Sequence, residues 1–175
     1  MLKKLLFLTI FVFFTLPYYQ IYAQEESKSE QKLPPARKIP AITSEDPYPN
    51  GCVDCHINYV EMNMDTRFST LMKLWREKVD STLLRKAQDT APEGMILKGK
   101  HPNAPKSFNN IPGECLTCHK KDSKIAPPFA RMIHKIHLTG GEKNNFLTIF
   151  QGECTYCHKL NQSNGSWLIP NGSEH

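Results

Sequence analysis

The chain has 175 residues, with 22 lysines and arginines against 17 aspartates and glutamates and a formal net charge of +5. Lys3 and Lys4 lie in an N-terminal segment that we expect to be removed. The remaining charge of +3 is modest and gives no support for a nucleic-acid-binding function. Only 39% of the residues are hydrophobic and 13 are prolines, so we expect neither a large conventional core nor a sheet-rich fold.

Residues 1–23 have the organisation of a signal peptide. Lys3 and Lys4 precede an apolar run that Pro17 ends, and Ala23 offers a small residue for cleavage. The run is short for a bilayer span, although an uncleaved anchor reaching Ala23 is the alternative and would place the protein on a membrane. The segment predicts export to the periplasm, or onward to the outer surface.

Residues 24–50 have the composition of a linker. Glutamate, serine and lysine are frequent at its start, and five prolines follow, namely Pro34, Pro35, Pro40, Pro47 and Pro49. Such a segment cannot bury enough apolar surface to fold alone, so we expect a flexible linker that is either a tether or an extended wrap. The remaining residues, 51–175, are expected to form one domain.

Two helices are predicted in this domain. Between Asp65 and Gln88, apolar side chains recur every three or four residues opposite basic ones, which predicts one amphipathic helix. A shorter helix is expected from Phe129 to Leu138, after two prolines and before two glycines. The predicted fold class is mainly α with extensive irregular structure and little or no sheet.

Three Cys-x-x-Cys-His motifs use every cysteine of the chain. The cysteines are Cys52, Cys55, Cys115, Cys118, Cys154 and Cys157, and the histidines are His56, His119 and His158. Two thiols at this spacing reach the two vinyl groups on one porphyrin edge, and the next residue turns an imidazole onto the iron. Zinc sites, redox dithiols and disulfide frameworks also use paired cysteines, but none requires a histidine directly after the second cysteine. The motifs predict three covalently bound haem c groups, which would themselves form much of the core.

The other histidines predict the second axial ligands. His101, His134 and His137 are three internal candidates for three irons, whereas His175 is most simply a solvated terminus. His134 and His137 are three apart on one predicted helix, so their Cβ atoms lie about 5–6 Å apart and cannot flank the same iron. We expect His101 to serve the second haem, and His134 and His137 to be divided between the first and third.

Methionine is the rival axial ligand. Met62, Met64, Met72 and Met95 all lie between His56 and Cys115. A methionine ligand would raise the reduction potential of its haem above that of bis-histidine neighbours.

Three Cys-x-x-Cys-His motifs, few residues per haem and the His134-x-x-His137 helix resemble the small multihaem cytochromes c, class III among them. The stretch 127–158 is also similar to a unit of the outer-membrane decahaem cytochromes of metal-reducing bacteria. The resemblance covers about residues 100–158 and implies a fold wrapped around haems that relays electrons in anaerobic respiration. The chain differs from the decahaem proteins in haem number and has no cysteine near Ala23 for a lipid anchor.

The expected function is electron relay by outer-sphere transfer, without enzymatic activity. The partners would be redox proteins, other multihaem cytochromes or a membrane quinol-oxidising complex. Aromatic side chains are expected to pack on the porphyrins, namely Phe146, Phe150, Tyr156 and Trp167. Residues 161–175 are assigned no chemistry.

The main alternative is a haem reductase of nitrogen or sulfur oxyanions with one open or displaceable axial position. His101 would be the displaceable ligand, because it lies in a loop before Pro102. Lys98, Lys100 and Lys106 would bind the anion, although a solvated basic loop also accounts for them. A structural subunit of a larger haem wire is a third possibility.

Overall fold

A computed structural model describes residues 33–175. The signal-peptide prediction for residues 1–23 and the first part of the linker lie outside the described residues. Residues 38–175 form one compact unit, in which helices and irregular segments dominate and about 37% of the described residues are helical. Within this part of the chain, the helices are too short or too polar to cross a membrane.

Five α-helices lie in the described residues, and the two longest have ten residues each. They are α1 (Cys52–Cys55), α2 (Phe68–Glu77), α3 (Ser81–Gln88), α4 (Phe129–Leu138) and α5 (Asn145–Thr148). Five short 3-10 helices accompany them: Val60–Met62, Pro105–Asn109, Cys115–Thr117, Gly141–Lys143 and Cys154–Tyr156.

The single helix expected from Asp65 to Gln88 is wrong, because the structure divides this segment into α2 and α3. Lys78 is extended after α2, and the Asp80 carboxylate accepts hydrogen bonds from the backbone N–H groups of Thr82 and Leu83 at 2.8 and 3.0 Å. These bonds are the signature of a helix N-cap. Apolar residues recur at helical spacing on both sides of the break, so the sequence pattern did not reveal it.

The second helix prediction is confirmed, since α4 spans Phe129–Leu138. Its C-terminal carbonyls are satisfied by two side chains from outside the helix. Asn144 Nδ2 donates to the carbonyl oxygens of Ile136 and His137 at 2.9 and 2.7 Å. Lys86 of α3 donates to the carbonyl of Ile136 at 3.1 Å, which joins the two helices.

The strands form two small antiparallel hairpins. In the first, β1 (Asn58–Tyr59) pairs with β2 (Met64–Asp65), and in the second, β3 (Lys159–Asn161) pairs with β4 (Ser166–Leu168). Gly165, in the turn of the second hairpin, has a φ of 71°, a conformation that favours glycine. This is a small amount of sheet, as the composition indicated.

The polypeptide core is small. Among the described residues the buried hydrophobic side chains are Val53, Ala87, Ile111, Ala126 and Met132. Two of these are tied to the end of the chain. Gly172 exchanges backbone hydrogen bonds of 2.7 and 2.8 Å with Ile111, and a Cβ at Gly172 would lie 2.5 Å from a Val53 methyl carbon.

The last part of the expected linker packs on the domain. Lys159 Nζ lies 2.9 Å from a carboxylate oxygen of Asp46. The ring of Tyr48 meets that of Tyr156 edge-on at 4.7 Å and that of Phe150 at 6.0 Å. The compact unit therefore begins before the expected boundary at residue 51, since residues 38–50 belong to it.

Candidate functional site

The histidines that follow the three cysteine pairs each face one other histidine. We call these the first pair (His56 and His137), the second pair (His101 and His119) and the third pair (His134 and His158). Their ring centroids are 6.0, 6.1 and 5.8 Å apart, respectively. No histidine is shared between pairs.

The first pair is the most enclosed. His56 follows α1, and its Nδ1 lies 2.8 Å from the Thr66 carbonyl oxygen. His137, on α4, has Nδ1 3.0 Å from the Ile133 carbonyl oxygen. Burial lowers the pKa of His56 to about 4 and lowers that of His137 as well, so both rings favour the neutral form.

Aromatic rings cover the first pair on two sides. Phe68, the first residue of α2, lies 4.3 Å from the His56 ring between centroids with a tilt of 31°. Phe146 meets the His137 ring edge-on at 5.3 Å. A cavity of about 330 Å³ adjoins both imidazoles, and its lining also includes Cys55, Tyr59, Met64, Leu83 and Phe150.

The second pair is built from two irregular segments. His119 Nδ1 lies 2.7 Å from the Pro127 carbonyl oxygen, and burial lowers the pKa of His119. His101 has Nδ1 2.8 Å from the Pro102 carbonyl oxygen, while its backbone N–H donates to the Trp75 carbonyl at 3.3 Å. The loop that carries His101 is therefore held against the last turns of α2.

The third pair is the most open to solvent. His134 is exposed on α4, and His158 is half-buried directly before β3. Burial lowers the pKa of His158, and the nearby His134 adds to this effect. Because His134 and His137 are three residues apart on α4, the first and third pairs lie side by side.

Four of the six rings have a defined tautomer. A carbonyl oxygen can only accept a hydrogen bond, so Nδ1 of His56, His101, His119 and His137 must carry the proton. The lone pair of each of these rings is then on Nε2. Hydrogen bonds from the ring nitrogen that does not bind the metal orient metal-binding histidines. They also make the other nitrogen a stronger electron-pair donor to the metal.

The six cysteines are free thiols placed beside these histidines. Cys52 and Cys157, from the first and third motifs, hydrogen-bond one another. This bond raises the pKa of Cys52, and burial adds to that increase. The same bond lowers the pKa of Cys157, against the opposite effect of burial. The contact gives a second, independent sign that the first and third motifs are neighbours.

The spacing of the pairs fits two axial ligands on one iron. A metal–imidazole nitrogen bond is about 2 Å long and the nitrogen lies about 1 Å from its ring centre, so trans imidazoles have centres roughly 6 Å apart. Two protein ligands are what an iron held by four porphyrin nitrogens still needs. Within residues 33–175, no group of three or more His, Cys, Asp or Glu side chains converges on a possible metal position.

The distribution of histidines among the pairs is the one expected from the sequence, with His101 at the second motif and His137 and His134 at the first and third. Their role as iron ligands remains a prediction. Met64 lines the cavity beside the first pair, but the ring that faces His56 is that of His137. Lys98, Lys100 and Lys106, the proposed anion-binding groups of the alternative function, are exposed.

Sequence reasoning missed several residues around the site. Tyr48 belonged to the expected linker, yet it contacts Tyr156 of the third motif. Glu174 belonged to the tail assigned no chemistry, yet its carboxylate accepts a hydrogen bond from Ser69 at the start of α2. Trp167, which was expected to pack on a porphyrin, lies in β4 with 53% of its surface exposed, and that contact stays a prediction. The hairpin that contains Trp167 could have been predicted, because the Asn164-Gly165 dipeptide before β4 is typical of hairpin turns.

No family model, curated protein or solved structure matches the chain.

Proposed function

We propose that the protein is an exported cytochrome c with three covalently bound haems, which relays electrons between redox proteins by outer-sphere transfer. One observation carries the proposal. Each Cys-x-x-Cys-His histidine faces one other histidine at 5.8 to 6.1 Å between ring centroids, which is the separation that two axial imidazoles need. Haem c bound at these positions supplies reversible one-electron chemistry.

The chain's own residues would bind and orient the group. At each motif the paired cysteines would hold haem c through two thioether bonds, and the two facing histidines would bind its iron. The carbonyl oxygens of Thr66, Ile133 and Pro127 accept hydrogen bonds from Nδ1 of the histidine next to each of them. The lone pair of each ring is then on Nε2, which can bind iron. Filled axial positions support transfer rather than substrate binding, and this is why we favour a relay over a reductase.

The first and third sites are adjacent because α4 supplies a histidine to each, at His137 and His134. The contact between Cys52 and Cys157 brings their attachment points together as well. Close neighbours suit a relay, because electron transfer between cofactors weakens steeply with distance. The second site joins the others through the backbone hydrogen bond of 2.8 Å from Phe129 to the His119 carbonyl.

Mass spectrometry of the exported protein tests the cofactor. We expect a gain of about three haem masses, roughly 616 Da each. A product without this gain contradicts the proposal.

Carbon monoxide tests the relay against the reductase. The reduced protein with six imidazole ligands is expected to show no spectral change on exposure to the gas, because a filled axial position excludes it. A shift of one haem in three would instead support an open or displaceable position.

A further inference from the structure

The end of the chain is fixed over the start of α2. The Glu174 backbone N–H donates to the Phe108 carbonyl at 2.9 Å, close to the Gly172 and Ile111 pairing. The Glu174 carboxylate oxygen Oε2 accepts from the Ser69 N–H at 2.8 Å, across a separation of 105 residues. Arg67, the N-cap residue of α2, makes no capping hydrogen bond with its own side chain. Glu174 therefore supplies a cap that the local sequence lacks.

This cap lies next to the first pair. Phe68 precedes Ser69, and its ring rests on His56 at 4.3 Å between centroids. Ser69 thus links the Glu174 carboxylate to the residue whose ring covers His56. Arg67, a cation close to Glu174, forms an ion pair of 2.7 Å with Asp65, so its charge is largely balanced.

A positive charge also lies near the first pair. Lys86 lines the cavity beside His56 and His137, and its ammonium group hydrogen-bonds the carbonyls of Ile136 and Thr139.

We propose that Glu174 is a positioning residue for the first pair, which fixes Phe68 against His56 through the start of α2 and places a negative charge that favours the oxidised state of the iron bound there. The inference rests on the proposed function. Oxidation adds one positive charge to the site, and a nearby carboxylate stabilises that charge most where water is excluded. The reduction potential of this site is therefore held below the value that it would have without Glu174.

Two substitutions separate the charge from the cap. Glu174→Gln removes the charge but keeps an oxygen that can accept from Ser69, whereas Glu174→Ala removes both. Glu93→Gln is the matched control, because Glu93 is an exposed carboxylate in the loop after α3. All three are made in the full three-haem protein. Each variant is followed by a redox titration monitored by electron paramagnetic resonance and by thermal unfolding.

We expect Glu174→Gln to raise the midpoint potential of the first site alone, with an unfolding temperature close to that of the wild type. Glu174→Ala should raise the same potential and also lower the unfolding temperature, because the cap is lost. Glu93→Gln should change neither quantity.

An unchanged potential in Glu174→Gln, or an equal shift of all three potentials, overturns the role of Glu174. Wild-type protein without haem contradicts the proposed function itself, so the two failures are distinct.

Discussion

The rings of His101 and His119 are almost parallel, with an interplanar angle of 8°, whereas those of His56 and His137 cross at 79°. The electronic structure of a low-spin ferric haem depends on the relative orientation of its two axial imidazole planes. We therefore expect electron paramagnetic resonance of the fully oxidised protein to show one rhombic signal, from the second site, and one strongly axial signal, from the first. Three identical signals would contradict these ring orientations.

Single histidine substitutions should each open one site. His137→Ala and His134→Ala remove one predicted ligand each, from different pairs. Each reduced variant is therefore expected to bind one carbon monoxide and the double variant two. His175→Ala is the control and should bind none. The measurement is a spectrophotometric titration. A double variant that binds only one molecule would show that both histidines serve the same iron.

Asn144 joins two helices through one side chain. Its Nδ2 donates to the carbonyls of Ile136, His137 and Thr139, and its Oδ1 accepts from Phe146 at the start of α5 at 3.0 Å. Asn144→Ala removes these bonds. Lys86 still donates to the carbonyls of Ile136 and Thr139, but the His137 carbonyl and the Phe146 N–H lose the Asn144 side chain, and we expect a loss of about 1–3 kcal/mol in the free energy of unfolding. Denaturant unfolding measures it.

The control for Asn144→Ala is Asn109→Ala, which changes an exposed asparagine and should cost less than about 0.5 kcal/mol. Equal losses in the two variants would show that the cap of α4 contributes nothing.

Asp80 begins α3 by accepting from two backbone N–H groups. Asp80→Ala is expected to reduce the free energy of unfolding by about 1 kcal/mol. The neighbouring substitution Ser81→Ala changes an exposed residue after the cap and should have a smaller effect. If α2 and α3 were one continuous helix, Asp80→Ala would instead be neutral or stabilising, because alanine is the better helix former.

Asp65 predicts an acid-sensitive contribution to stability. The pKa of this carboxyl is held far below its usual range, mainly by hydrogen bonds from the Arg67 side chain. Hydrogen bonds from the Arg67 backbone and from Thr70 add to the effect. A group with a depressed pKa in the folded state stabilises the fold above its unfolded pKa of about 3.9, and this stabilisation is lost as the pH falls further.

The free energy of unfolding of the wild type should therefore exceed that of Asp65→Asn at pH 7, and the difference should shrink as the pH falls from 4 towards 2. Asp122→Asn, at an exposed site, serves as the control. A difference that stays constant over this range would contradict the assignment.

The sequence predicted those features that depend on local residue patterns or on the number of residues of one type. Prolines before Phe129 and glycines after Leu138 defined α4 to the residue, and the number of internal histidines matched the number of motifs. The break before Asp80 was concealed because the apolar stripe continues through it. Glu174 could not be found, since its partner Ser69 lies 105 residues away and such a contact leaves no local signal. The ring angles of the pairs depend on tertiary neighbours such as Phe68.

The pairing of Gly172 with Ile111 holds Gly172 directly against Val53, which lies between the cysteines of the first motif. A Cβ at residue 172 would lie 2.5 Å from a Val53 methyl carbon, so this position has room for glycine alone unless Val53 moves. Any larger residue at 172 would therefore push on the backbone that sets the distance between Cys52 and Cys55.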